Sequence, residues 1–321
     1  MPLPKTLKTL RLPAIAAPMF LASGPDLVVE TCRGGILGTF PALNQRSTQG
    51  FVDWLDEIRA RLQPHPDAAP FGVNLIVHRS NPRLEADLAA VVAHRVPLVI
   101  TSLGAVPEVV KAVQSYGGLV FHDVISRRHA EKAAEAGVDG IIAVCAGAGG
   151  HAGTLSPFAL LPEIRSFFGG TLVLSGAISN GAQIAAARLM GADLAYLGTR
   201  FLVTRESMVS EAQKHMTLEA RAGDIVYTDA ISGVNANFLK KSIVAAGLDP
   251  ANLVSHGPMD LGSEAKAWKT VWSAGQGVSG IDDVPATADL CDRLAREYAC
   301  AMLDARADPF LARAQEAIKP L

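Results

Sequence analysis

A chain of 321 residues with 49% hydrophobic and 19% charged side chains can bury a large core, as about two average domains or as one barrel of roughly 250 residues with an insertion. A net charge of −2 without a Lys/Arg run speaks against nucleic acid or an anionic membrane as partner. No stretch approaches the ~20 apolar residues that span a bilayer.

Short apolar, β-branched runs recur along the chain. They are Ala14–Pro18, Ile36–Phe40, Phe71–Ile76, Leu98–Thr101, Leu119–His122, Gly140–Cys145, Thr171–Ser175 and Leu194–Gly198. Most are apolar nearly throughout, the pattern of parallel strands covered on both faces. Between them lie Ala/Glu/Arg-rich segments that read as crossover helices: Leu84–Ala93, Pro107–Ser115, Arg127–Ala136 ending at Gly137, and Asn180–Met190 ending at Gly191. Eight such units close most naturally into an α/β fold of the (β/α)₈ TIM barrel type. An open doubly wound sheet is the alternative, but no G-x-G-x-x-G follows the first run.

After the eighth run the pattern changes. Residues 206–266 read as a small, mainly helical subdomain over the barrel mouth, which leaves 1–205 and 267–321 to the barrel. The tail from Ala286 is strongly helical and is expected to close the outer ring. The N-terminus has two early prolines and no signal-like apolar segment, so it reads as mature protein. Cys32, Cys145, Cys291 and Cys300 show neither C-x-x-C nor zinc spacing. They read as free thiols in a reducing, cytoplasmic setting.

Barrels gather function at the C-terminal strand ends. There the chain places Pro18-Met19-Phe20, Asn74, Ser102-Leu103-Gly104, His122-Asp123 and the stretch Gly147–Gly153, then Gly176-Ala177 and Gly198-Thr199. The last two ends offer small residues whose N–H groups can approach an anion, at the usual barrel phosphate site, with helix starts near Asn180 and Thr199 adding a favourable dipole. The four glycines around His151 leave backbone bare enough to lie against a flat ligand. A His at that point suits proton transfer near neutral pH. The remaining histidines and the Lys240-Lys241 pair read as solvated or packed. No metal-ligand spacing such as H-E-x-x-H occurs, and no metal is expected.

The segments Ala16–Phe20 (AAPMF), Gly72–Asn74 (GVN), Gly147–Gly153 (GAGGHAG) and LSGAISNG…GADLAYLGTRFLVTRES through Ser207, with WSAGQGVSGI at Trp272–Ile281, resemble the nitronate monooxygenase (2-nitropropane dioxygenase) family of FMN-dependent barrel oxidoreductases. The resemblance implies bound FMN. Pro18 and Met19 would line the flavin ring, Asn74 would hydrogen-bond it, and Gly149 and Gly150 would pack near it. Gly176, Ala177, Gly198 and Thr199 would hold the phosphate. His151 matches the family's catalytic base, and Phe20, His122, Ser273 and Gln276 would face the substrate.

Two departures stand out. Ala177 replaces a glycine, so a positive φ there would be costly. The pair His122-Asp123 stands where several reductase-like relatives carry a Lys after the His, so a cation that could stabilise reduced flavin is missing. The resemblance implies oxidation of nitronates or nitroalkanes with O₂ to a carbonyl compound and nitrite. The alternatives are an NAD(P)H-dependent FMN reductase acting on quinones or enoyl thioesters, and a non-catalytic flavin- or phosphometabolite-binding protein. A small-molecule substrate and O₂ are the expected partners, with a homodimer left open.

Overall fold

The computed structural model describes residues 3–78, 80–104, 106–255 and 270–315. Eight parallel strands close on themselves in the order β1 (Ala14–Ala16), β2 (Leu37–Pro41), β3 (Phe71–Ile76), β4 (Leu98–Ser102), β5 (Leu119–Val124), β6 (Gly140–Val144), β8 (Thr171–Ser175) and β9 (Leu194–Leu197), with β9 pairing back onto β1. The α/β (β/α)₈ barrel expected from the apolar runs is therefore the fold, and each run lies on its strand to within about two residues.

The apolar character of these strands has two destinations. Ile15, Leu37, Leu98, Ile100, Phe121, Ile142, Val173 and Leu194 point inward and fill the barrel, joined by Leu7 from the 3₁₀ turn Lys5–Leu7. Their neighbours Ala14, Ala16, Val73, Val99, Val120, Ile141, Leu172 and Ala195 point outward, under the helices. Period-2 alternation is thus present but invisible in hydropathy, because both faces are dry.

The helical ring comprises α1 (Pro25–Arg33), α2 (Thr48–Leu62), α3 (Leu84–Ala93), α4 (Pro107–Gln114), α5 (Arg127–Glu135), α6 (Pro157–Arg165) and α7 (Gly181–Leu189). Local chemistry fixes the ends. The hydroxyls of Ser47, Ser126 and Ser156 cap α2, α5 and α6, and Asn180 with Gln183 forms a full capping box on α7. Gly137 and Gly191, at φ of 84° and 96°, stop α5 and α7 in the left-handed region.

Beyond β9 come α8 (Thr199–Leu202), α9 (Glu211–Glu219), β10 (Ile225–Thr228), β11 (Ala236–Leu239), α10 (Lys240–Ala245), α11 (Thr287–Arg306) and α12 (Leu311–Gln315). Helix α11 packs on α7 and α1 and closes the ring as expected. A Cβ at Gly181 would sit 2.3 Å from the backbone of Leu294 and Tyr298, so glycine permits that approach.

The insertion holds short strands as well as helices. Besides α9 and α10 it contributes β10 and β11, which form an antiparallel sheet with β7 (Gly150–His151). Strands this short carry too little alternation to announce themselves, and their partner is a glycine-rich loop far away in sequence. The expected boundary near Lys266, and His256, lie outside the described residues. All four cysteines are free, three of them buried, with Cys300 exposed. Among the described residues no helix is long and apolar enough to cross a membrane.

Candidate active site

The C-terminal strand ends surround one cavity of about 1420 Å³. Its wall after β1 is rigid. Ser23 Oγ accepts from the Met19 N–H (3.0 Å), and Asn44 accepts from the Leu21 N–H (2.9 Å) while donating to the carbonyls of Met19 (3.1 Å) and Ser23 (2.8 Å). Leu21 is thereby held at φ 58°. Leu103 (φ 63°) and Ala177 (φ 54°) also line the cavity and are also in the left-handed region. Among the described residues, three of the four non-glycine residues with such backbone therefore border one site, where strain is usually retained for function.

The Gly147–Gly153 loop is a built element. Gly150 pairs with Asn237 and His151 with Ala236. Asn237 Nδ2 donates to the Ala148 carbonyl (2.6 Å), the Gly150 N–H donates to Ser273 Oγ (2.7 Å), and Ser273 Oγ donates to the Asn237 carbonyl (2.7 Å). Tyr227 Oη closes the far end on the Ala152 carbonyl (3.0 Å). These bonds fix the backbone that carries His151 into the cavity.

On the opposite wall, the ends of β8 and β9 present Gly176, Ala177, Ile178, Gly198 and Thr199. The N–H groups of Ala177, Ile178 and Gly198 have no hydrogen-bond acceptor among the described residues. That is a cluster of donors suited to a phosphate. The start of α7, expected to assist, is occupied by its own Asn180–Gln183 capping box. Thr199 Oγ accepts from the Gly275 N–H (2.9 Å), and Ser179 Oγ donates to the Gly277 carbonyl (2.7 Å), so the 275–277 segment buttresses this wall. Gly149 lies against it: a Cβ there would meet Gly275 N at 2.9 Å.

Strands β3, β4 and β5 supply a polar chain. Asn74 Nδ2 donates to the Ile100 carbonyl (3.1 Å) and to Ser102 Oγ (2.7 Å), whose hydroxyl donates to Asp123 Oδ2 (2.5 Å). Burial pushes the Asp123 carboxyl up to about 6, with the Ser102 hydrogen bond and the His151 charge pulling it down. Next to it, His122 Nδ1 lies 2.7 Å from Thr101 Oγ. Thr101 donates to the Phe121 carbonyl (3.3 Å), so its lone pair takes the Nδ1 proton and His122 Nε2 is left as an acceptor. Burial, aided by His129, lowers His122 to about 4, which keeps it neutral at neutral pH.

Pro18, Met19, Phe20, Asn74, His122, Gly149, Gly150, His151, Gly176, Ala177, Gly198, Thr199 and Ser273 all line the cavity. Gln276 is exposed and stands behind the lining: its N–H donates to the Gly147 carbonyl at 2.8 Å, and its side-chain Oε1 lies where a Cβ on Gly147 would meet it at 2.9 Å. Ser273 faces the cavity but spends its hydroxyl on clamping β7. Lys241 is exposed and pairs with Glu219 (2.8 Å), a solvated face as read. His129, read as solvated or packed, lines the cavity. Asp123, Ser102 and Tyr196 are cavity residues to which sequence assigned no role; the available signal was the His122-Asp123 pair at the end of an apolar run.

The chain belongs to the nitronate monooxygenase family, whose sequence model, "Nitronate monooxygenase", matches residues 2–297. A nitronate monooxygenase of Paraburkholderia phytofirmans is 28% identical over 284 residues, 74% of this chain and 76% of the relative. A (3aS,4S,5R,7aS)-5-hydroxy-7a-methyl-1-oxo-octahydro-1H-indene-4-carboxyl-CoA dehydrogenase of Rhodococcus jostii is 28% identical over 232 residues, 72% of this chain. The match spans 64% of that relative's length. Among solved structures, a nitroalkane oxidase from Streptomyces ansochromogenes shares the fold at a TM-score of 0.80 and 24% identity, covering 92% of this chain and 98% of its own. FabK from Thermotoga maritima does so at 0.77 and 22%, covering 94% and 97%.

Proposed function

We propose that this barrel binds FMN and oxidises alkyl nitronates and nitroalkanes with O₂, giving a carbonyl compound and nitrite, as a cytoplasmic enzyme. One observation carries the reading: His151, fixed on β7, faces the same cavity as the uncommitted N–H groups of Ala177, Ile178 and Gly198. The residues fit the cofactor. The free donors and the small residues Gly176, Ala177, Gly198 and Thr199 suit its phosphate. The pinned Pro18–Met19 segment and bare Gly149–Gly150 backbone suit a flat ring, and Asn74, its amide nitrogen already committed, keeps its oxygen for a ring N–H. Bound FMN supplies the electron acceptor for the nitronate, and O₂ completes the oxidation.

The chain's own work is positional and protolytic. His151 takes the α-proton of a neutral nitroalkane: the C–H bond breaks, the electron pair remains on the substrate as nitronate, and the proton sits on the imidazole. A nitronate supplied already ionised bypasses that step and needs His151 only for orientation. His151→Asn is expected to retain FMN, with turnover of neutral nitroalkane reduced about 100-fold or more and nitronate oxidation far less affected. Equal turnover of neutral nitroalkane would remove His151 from the base role.

A second reading draws on the cavity's size. At about 1420 Å³ it exceeds the ~300–1,000 Å³ of ordinary ligand sites, which leaves room beside FMN for a nicotinamide or a thioester. An NAD(P)H-dependent FMN reductase would use that room, and rapid flavin reduction by NADH or NADPH would identify it.

A further inference from the structure

We propose that Asp123 is a positioning residue for His151: its carboxylate, oriented by Ser102 and Asn74, balances the positive charge His151 gains on taking the substrate proton. The inference rests on the base role given to His151 above. It starts from the direction of the polar chain. Both hydrogens of the Asn74 amide are spent, on the Ile100 carbonyl and on Ser102 Oγ. Ser102 therefore receives from Asn74, and its own hydrogen points to Asp123 Oδ2 at 2.5 Å. A carboxylate is the acceptor this chain is built to hold.

The other carboxylate oxygen is the informative one. Asp123 Oδ1 is buried and has no hydrogen-bond partner among the described residues, a costly arrangement unless a charge answers it. Asp123 is also the one acidic residue lining the cavity among the described residues. His129 and Lys132 on α5 and Arg46 and Arg83 also line the cavity, but the charge that acts on Asp123 is that of His151. Ser102 on β4 is neutral. His122 on β5 is kept neutral by burial. The Tyr196 phenol on β9 is held protonated by burial and by Asp123 itself. His151 on β7 can carry charge, and its charge acts on Asp123. Proton transfer from substrate to His151 then creates an imidazolium in the same cavity as an anion already in place, so the field needed after the transfer exists before it.

The test has two independent arms. In the FMN-loaded enzyme, kcat/KM is measured against pH for a neutral nitroalkane and for the matching preformed nitronate, in wild type, Asp123→Asn, Asp123→Glu and Ser102→Ala. The expected result for Asp123→Asn is a 10–100-fold loss confined to the neutral substrate. The limb of the pH profile near 6 should disappear with it, and Asp123→Glu should restore part of both. Equal losses on both substrates, or an unchanged limb, would overturn the proposal. The second arm needs no turnover: the Asp123 carboxyl is titrated by ¹³C NMR in folded wild type and His151→Asn. Removing the imidazole should raise its midpoint by about one pH unit; an unmoved midpoint overturns the pairing. Should the wild type turn over neither substrate, the base role fails, and this arm still decides whether Asp123 and His151 are coupled.

Discussion

Replacing Asp123 by Asn should make the protein more stable at neutral pH while impairing its chemistry. Burial raises the Asp123 carboxyl from 3.8 to about 6. The native state therefore holds its proton where the unfolded chain has released it. The native form binds more protons between roughly pH 4 and 6, so stability falls as pH rises through that window. Above the folded value the full cost is present; below the unfolded value it vanishes. Two pH units at 1.36 kcal/mol each give about 3 kcal/mol. Asparagine keeps an oxygen for Ser102 but carries no charge, so Asp123→Asn should recover most of this at pH 8. With an unfolding entropy of about 2.1 cal/mol/K per residue, the gain corresponds to about 4 °C in Tm. Thermal unfolding of wild type and variant at pH 8, 7, 6, 5 and 4 measures it. The gap should be widest at pH 8 and close toward pH 4. A variant less stable than wild type at pH 8, or a gap constant with pH, would refute the reasoning.

Ala177→Gly should stabilise by about 0.5–1 kcal/mol, since relief of the left-handed φ of 54° outweighs glycine's added unfolded-state freedom; denaturant melts would show it as a raised midpoint. Ser273→Ala strips the acceptor from the Gly150 N–H. Hydrogen exchange across 148–152 should rise and turnover of neutral nitroalkane should fall about 10-fold, and unchanged exchange would show that β7 does not depend on this clamp. Asn44→Ala removes three hydrogen bonds from the segment after β1. A loss of about 1–3 kcal/mol is expected, together with weaker FMN binding, read by fluorescence titration.

The barrel was legible because its strands are dry on both faces: runs such as Phe71–Ile76 and Thr171–Ser175 stand out from helical segments and coincide with β3 and β8. Helix stops at Gly137 and Gly191 were readable for a local reason, a left-handed residue where glycine costs least. The site was legible wherever its residues follow a strand end. What sequence withheld is contact between distant segments. A two-residue strand has no period, so the sheet joining His151 to β11 left no trace. Asn74, Ser102 and Asp123 are separate letters until the barrel register sets β3, β4 and β5 side by side.

The most direct test of the account is the absorption spectrum of the FMN-reconstituted protein during anaerobic addition of propionate-3-nitronate and, in separate samples, NADPH and NADH. The expected result is flavin bands that the nitronate bleaches and the nicotinamides do not. A protein that shows no flavin spectrum after FMN reconstitution, or whose flavin the nitronate leaves oxidised, would contradict it.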